Sequence, residues 1–198
     1  MNTAANDPAP ETDEALMCAY ADGDSGAFER LYQRHKGALY RYLLRQIAHE
    51  ATVAEQFQEV WSKVIRHRAR YQAGKNQAQF KTWLYTIARH QVVDYYRAQG
   101  RYKEWQQQQV VDEPALAVYQ HAEPEQCQSR SAQAQRIRQS IASLPPPQRD
   151  AFLLKEEAGL SLAQIAQTTG VDRETVKSRL RYAVNKLREQ LQMEWGEA

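Results

Sequence analysis

Cysteine is nearly absent: Cys18 and Cys127 are the only two in 198 residues. They lie far apart and without the paired spacing of a metal site. This excludes a disulfide-stapled scaffold and a cysteine-based zinc centre, and both read as ordinary thiols. Long apolar runs are missing too. No stretch approaches the ~20 consecutive apolar residues of a membrane helix, and a mean hydropathy of −0.77 suits a soluble chain without membrane insertion. The acidic N-terminal stretch lacks the basic-then-apolar order of a signal peptide, so a cytoplasmic location is expected. No Gly-rich loop is placed to cradle a phosphate. Asp, Glu and His are scattered without a nucleophile and base in register or a metal-ligand spacing. His35, His49, His67 and His121 accordingly read as surface or locally bonded side chains. No catalytic residue, metal or cofactor is expected, and hence no enzyme and no small-molecule substrate.

Positive charge is missing from two stretches. Residues 1–29 hold no Lys or Arg, while Asp7, Glu11, Asp13, Glu14, Asp22, Asp24 and Glu29 are acidic; residues 104–129 again hold none. Between them the balance inverts, with Lys63, Arg66, Arg68, Arg70, Lys75 and Lys81, then Arg89, Arg97, Arg101 and Lys103, set against Asp94 alone from Val60 onward. Basic residues return at Arg130 and again at Arg173, Lys177, Arg179, Arg181, Lys186 and Arg188. The net charge of +2 therefore conceals two basic blocks separated by an acidic, polar stretch. Such blocks point to two surfaces for a polyanion, with solvated helix faces as the plain alternative.

The same breaks mark the organisation. Residues 1–26 read as an acidic, disordered N-terminal tail. Apolar residues then recur at helical spacing at Phe28, Leu31, Tyr32, Leu39, Tyr42, Leu43 and Ile47, and in a second helix at Val53, Phe57, Val60, Trp61 and Val64. Gly74 and Asn76 interrupt the pattern before FKTWLYTIARHQVVDYYR, residues 80–97, opens a third long helix. Residues 27–102 thus form a first helical domain. Residues 103–134, Gln-rich and carrying Pro114 and Pro124, read as a flexible linker. Residues 135–193 form a second helical domain with a thin core. The expected fold class is all-α: two small helical domains, the C-terminal one a helix-turn-helix.

That motif is LAQIAQTTGVDRETVKSRL, residues 162–180. A helix-turn-helix needs a small residue where its helices cross, a Gly able to take positive φ in the turn, and apolar residues facing the shared core. Ala166, Gly170 and Val176 stand at those places, with Ile165 and Val171 as core positions and Ser161 and Asp172 as N-caps. A hairpin that binds nothing would leave Lys177, Ser178, Arg179, Arg181 and Tyr182 unexplained. Such a helix fits the major groove, where Lys and Arg read guanine edges.

In residues 80–97, aromatic rings at Phe80, Trp83, Tyr85, Tyr95 and Tyr96 interleave with Lys81, Arg89 and Arg97. Phe80, Leu84, Ile87 and Ala88 are spaced as a core stripe. Tyr85, Arg89 and His90 fall off it and are the stronger candidates for contact, with Trp83 between the two readings.

Two segments together carry a resemblance. LPPPQRDAFLLKEEAGLSLAQIAQTTGVDRETVKSRLRYAVNKLRE resembles the fourth conserved region of bacterial sigma factors, and QEVWSKV with FKTWLYTIARHQVVDYYR resembles the second. In this order on a short chain, they resemble the extracytoplasmic-function (ECF) group of the sigma-70 family. The resemblance implies that the chain directs RNA polymerase to promoters and helps melt them. Implied partners are core RNA polymerase, promoter DNA and an anti-sigma factor. It implies −35 contacts by Arg173, Lys177, Ser178, Arg179, Arg181 and Tyr182. Contacts to the −10 element and to melted strand fall to Lys75, Asn76, Trp83 and Tyr85, and to Arg89, His90 and Arg97. Polymerase contacts fall to Glu55, Gln58, Glu59 and Trp61. Aromatic faces holding unstacked bases contribute ~1–3 kcal/mol each, which would account for the rings of residues 80–97. Two departures matter: His90 stands where the family often has Asn, and Thr52 and Gln56 stand where its polymerase-binding motif has an acidic residue and Leu. The alternatives are a helix-turn-helix regulator that holds duplex DNA without polymerase, and an adaptor that binds no DNA.

Overall fold

The computed structural model describes residues 11–47, 49–71, 79–100 and 128–195. Among them the regular structure is helical, as the all-α expectation had it. Lys75, Asn76, Cys127, His121 and most of the linker lie outside the described residues.

The first helix, α1 (Asp13–Ala21), corrects the expected 1–26 tail. Thr12 caps it by accepting from the Ala15 N–H at 3.2 Å, and Leu16 and Met17 are fully buried. The acidic residues of its first turn, which looked like tail composition, are docked: Asp13 Oδ2 lies 2.7 Å from His35 Nε2. Glu14 Oε1 accepts from the Phe80 N–H at 3.1 Å, capping the start of the fourth helix. A carboxylate is well placed there, because the first-turn N–H groups of a helix lack internal partners.

The stripe read from the sequence forms α2 (Ser25–Gln46), capped by Asp24 and buried along Leu31, Leu39, Tyr42 and Leu43. Then follow α3 (Glu50–Arg66), a 3₁₀ turn at Arg68–Arg70 and α4 (Phe80–Ala98). Val53, Val60 and Val64 of α3 and Phe80, Leu84, Ala88 and Val92 of α4 close the core on α2. Phe80 is buried, as its place on the stripe predicts.

The second domain opens with α5 (Gln128–Ala142), which begins inside the stretch expected to be linker. It continues with α6 (Pro146–Glu156), α7 (Leu162–Thr169) and α8 (Arg173–Trp195). The helix-turn-helix signals are met one by one. Ser161 and Gln164 form a reciprocal capping box, and Gly170 takes φ 72° in the turn. Asp172 Oδ1 accepts from the Thr175 N–H at 2.8 Å. Ile165 and Val176 are fully buried between the two helices.

The domains touch. α6 and α7 pack against α2 and α4, and one cluster of buried apolar residues runs through both halves of the chain.

Candidate nucleic-acid and polymerase interface

On α8 the side turned from the core carries Arg173, Lys177, Ser178, Arg181 and Tyr182, all exposed. Lys177 and Arg181, like Ser178 and Tyr182, are one helical turn apart and share a side. The pair between Lys177 and Glu174, 3.6 Å apart, is open to water. It holds Lys177 only weakly, since exposed pairs contribute about 0–1 kcal/mol. Arg179 differs from its expected place beside these residues. It is half-buried, and burial pushes its guanidinium below the ordinary value while the Asp150 carboxylate acts in the other direction. It faces towards the first domain.

On the first domain, Lys63, Arg89, His90, Val93, Asp94 and Arg97 line an open cleft of about 480 Å³ between α3 and α4. Arg97 Nη1 lies 3.4 Å from Asp94 Oδ1 at the exposed rim. His90 is exposed, yet partial burial first, and the neighbouring Arg89 charge next, push its imidazole below its ordinary value. It is therefore neutral at pH 7 and can donate or accept one hydrogen bond at each nitrogen. Lys63 was not picked out as a contact from the sequence beyond its place in the basic block. Its ammonium donates to Gln91 Oε1, and Gln91 Nε2 donates to Gln56 Oε1 at 2.7 Å. No local sequence signal marks it, because Lys63 and Gln56 of α3 are joined only through Gln91 of α4.

Trp83 is half-buried, its ring 5.3 Å from that of Tyr71 and 6.2 Å from that of Phe80. Tyr85 corrects the expectation of an exposed ring: it is 1% exposed, edge-on to Tyr42 at 5.4 Å. Off the stripe read from the sequence, it is nonetheless buried in the same apolar cluster as Leu84 and Ala88. Arg89 is likewise engaged, its Nε 2.8 Å from Asp150 Oδ2.

On α3, Glu55 and Gln58 are exposed and Glu59 pairs with Arg66. Trp61 corrects the fourth expected polymerase contact. Its ring is 5% exposed, held by Phe28 at 5.7 Å, Tyr32 at 5.1 Å and Phe57 at 6.4 Å. It shapes the surface from below rather than presenting itself.

Among the described residues no three His, Cys, Asp or Glu side chains gather as a metal site, and no helix is long and apolar enough to cross a membrane.

Comparison with known proteins accords with this geometry. Residues 31–102 match the sigma-70 region 2 family and residues 134–187 the sigma-70 region 4 family. The chain is 30% identical over 182 residues to the ECF RNA polymerase sigma factor SigL of Mycobacterium tuberculosis, covering 90% of this chain and 96% of that one. It is 27% identical over 175 residues to the RNA polymerase sigma factor CarQ of Myxococcus xanthus, covering 88% and 95%. Among solved structures, CnrH in complex with the cytosolic domain of CnrY shares the fold, with a TM-score of 0.66 at 19% identity over 91% of this chain and 97% of that one. RpoE of Bartonella quintana, in complex with the anti-sigma factor NepR, gives 0.60 at 23% identity over 83% and 96%. A helix-turn-helix with a basic outer face, a cationic cleft beside interleaved aromatics, and both matches in this order lead to one conclusion: the chain belongs to the ECF group of the sigma-70 family of RNA polymerase sigma factors.

Proposed function

We propose that this sigma factor divides promoter recognition between its two basic surfaces. α8 lies in the major groove at the −35 element, with Arg181 and Lys177 at base edges and Arg173, Ser178 and Tyr182 on the flanking backbone. α4 takes the −10 element. There Trp83 and His90 meet the separated strand, Arg97 and Lys63 neutralise it, and Arg89 joins them once freed from Asp150. Lys75 and Asn76 precede α4 and belong to the same contact by resemblance. Glu55, Gln58 and Glu59 meet core polymerase, with Trp61 holding the helix beneath them in shape.

The observation that carries this reading is the cleft of Lys63, Arg89, His90, Asp94 and Arg97, which puts cations beside a neutral imidazole, with the half-buried Trp83 about two turns earlier on the same helix. Charge of this kind attracts any backbone, while the ring and the imidazole give bases something to stack on or bond to. Permanganate footprinting of the reconstituted holoenzyme tests it. Trp83→Ala and His90→Ala should lower reactivity of melted thymines while polymerase binding persists; full melting by both variants would refute the assignment.

An anti-sigma factor is a further partner of the proposed function. RpoE was captured with an anti-sigma factor and CnrH with the cytosolic domain of CnrY, and this chain shares their fold. A cognate inhibitor added to the holoenzyme assay should reduce initiation and be displaced by excess core polymerase.

A further inference from the structure

Gln56 stands where the family's polymerase-binding motif has Leu, and its amide is turned to α4. Gln56 and Lys63 lie two helical turns apart and share a side of α3. Gln91 of α4 joins them: its Oε1 accepts from the Lys63 ammonium, and its Nε2 donates to Gln56 Oε1 at 2.7 Å. All three side chains are half-buried.

The chemistry of the groups fixes the direction of this relay. An ammonium only donates, so Gln91 has to offer it the amide oxygen, which leaves the amide nitrogen facing Gln56. Gln56 supplies the acceptor that nitrogen needs. A leucine at position 56 has none, and the Gln91 amide would lose the bond that keeps its oxygen towards Lys63.

At the other end Lys63 lines the cleft with Arg89, His90, Asp94 and Arg97. Burial first and the Arg89 charge next lower the His90 imidazole, with Lys63 and Arg97 adding to them against Asp94, so the ammonium acts on the space that His90 faces. Two other cations of the cleft are held by carboxylates, Arg89 by Asp150 and Arg97 by Asp94. Lys63 is held by a neutral amide. That contact orders the side chain and leaves its whole charge to a phosphate. Lysine is among the side chains that lose most rotamer freedom when fixed, so ordering it in advance strengthens binding.

We propose that Gln56 and Gln91 are positioning residues that hold Lys63 ready for a phosphate of the separated −10 strand, beside the His90 imidazole. The departure at position 56 then serves the DNA contact of the neighbouring helix. This rests on the reading of the cleft between α3 and α4 as the −10 site.

The test uses the full chain assembled with core polymerase in excess, and a fluorescent fork-junction DNA with a duplex −35 element and a single-stranded −10 element. Anisotropy is read across a salt series. Lys63→Met should bind about tenfold more weakly and lower the slope of log affinity against log salt by about 0.7, the share of one single-strand phosphate. Gln91→Leu should bind about threefold more weakly with the parent's slope, because the ammonium still reaches its phosphate but has first to be ordered. Gln56→Leu should change affinity in the same direction. Neither substitution should weaken binding further in the Lys63→Met background, a result that loosened packing between α3 and α4 would not give. Should Gln91→Leu prevent folding, seen in its thermal melt, Gln56→Leu still decides, since it removes only the far end of the relay. Glutamine variants that bind like the parent overturn the positioning, and so does an undiminished loss in the Lys63→Met background. Lys63→Met with the parent's affinity and slope would go deeper, removing Lys63 from the strand and with it this part of the −10 assignment.

Discussion

Arg179 and Arg181 stand two residues apart on α8 and meet different surroundings, the first half-buried towards Asp150 and the second open to solvent. If Arg181 reads a base edge, Arg181→Ala should cost about 1–3 kcal/mol and relax preference at one −35 position. Arg179→Ala should weaken all promoters alike. Promoter libraries transcribed with each variant distinguish them, and equal losses at every base for Arg181→Ala would remove its base-reading role. At His90 the lowered imidazole value gives a pH test. The ring charges only below its ordinary value of 6.5, so its part in melting should be constant from pH 7 to pH 8. His90→Asn, also neutral and able to donate and accept, should retain most of the melting that His90→Ala loses. Opening by the parent that climbs or falls steeply across that pH interval, and flattens in His90→Ala, would contradict this.

Single elements were legible wherever their cause is local. Ser161, Gly170 and Asp172 act within one turn of their own backbone, so their spacing sufficed to place the helix-turn-helix. A Cβ at Gly170 would meet nothing within 4 Å, so Gly170→Ala tests backbone conformation alone. It should lower stability by about 1–2 kcal/mol, read as a lower thermal midpoint, because φ 72° is left-handed. α1 was not legible. Nine residues with acids in the first turn look like tail, and only their docking onto His35 and onto the start of α4 makes them a helix. The His35 hydrogen bond holds the Asp13 carboxyl below its ordinary 3.8, against the opposing effect of burial, with the His35 and Arg34 charges assisting. A carboxyl depressed by folding stabilises the folded chain fully above its unfolded value. That contribution should fade as pH falls below 3.8 through the lower folded value. Urea unfolding across this acid range should show a shallower decline for Asp13→Asn than for the parent; identical slopes would mean that the contact carries no linkage.

At the scale of the whole molecule, the proposed function needs the two basic surfaces together. Tyr85 shows why sequence periodicity stopped short here. Its position off the α4 stripe suggested a contact surface, yet its ring is buried in the core cluster against Tyr42 of α2, in the field of Glu157 from far along the chain. Periodicity describes one helix by itself and carries nothing about a segment so far along the chain. The same separation sets a prediction for transcription. Residues 27–102 and 135–193, added to core polymerase as separate chains, should fail to start transcription at a promoter that the intact chain uses. Each would retain only its own contacts and lose the effective concentration that one chain confers on the second contact. A template with a pre-melted bubble should rescue Trp83→Ala and His90→Ala in the intact chain, because strand separation is then supplied. It should not rescue the split domains, whose defect lies in engaging both promoter elements at once. Efficient initiation by the mixed fragments would show that the connection between the surfaces is dispensable. A bubble that restored the fragments but neither point variant would place the role of α4 in holding duplex DNA rather than in melting it.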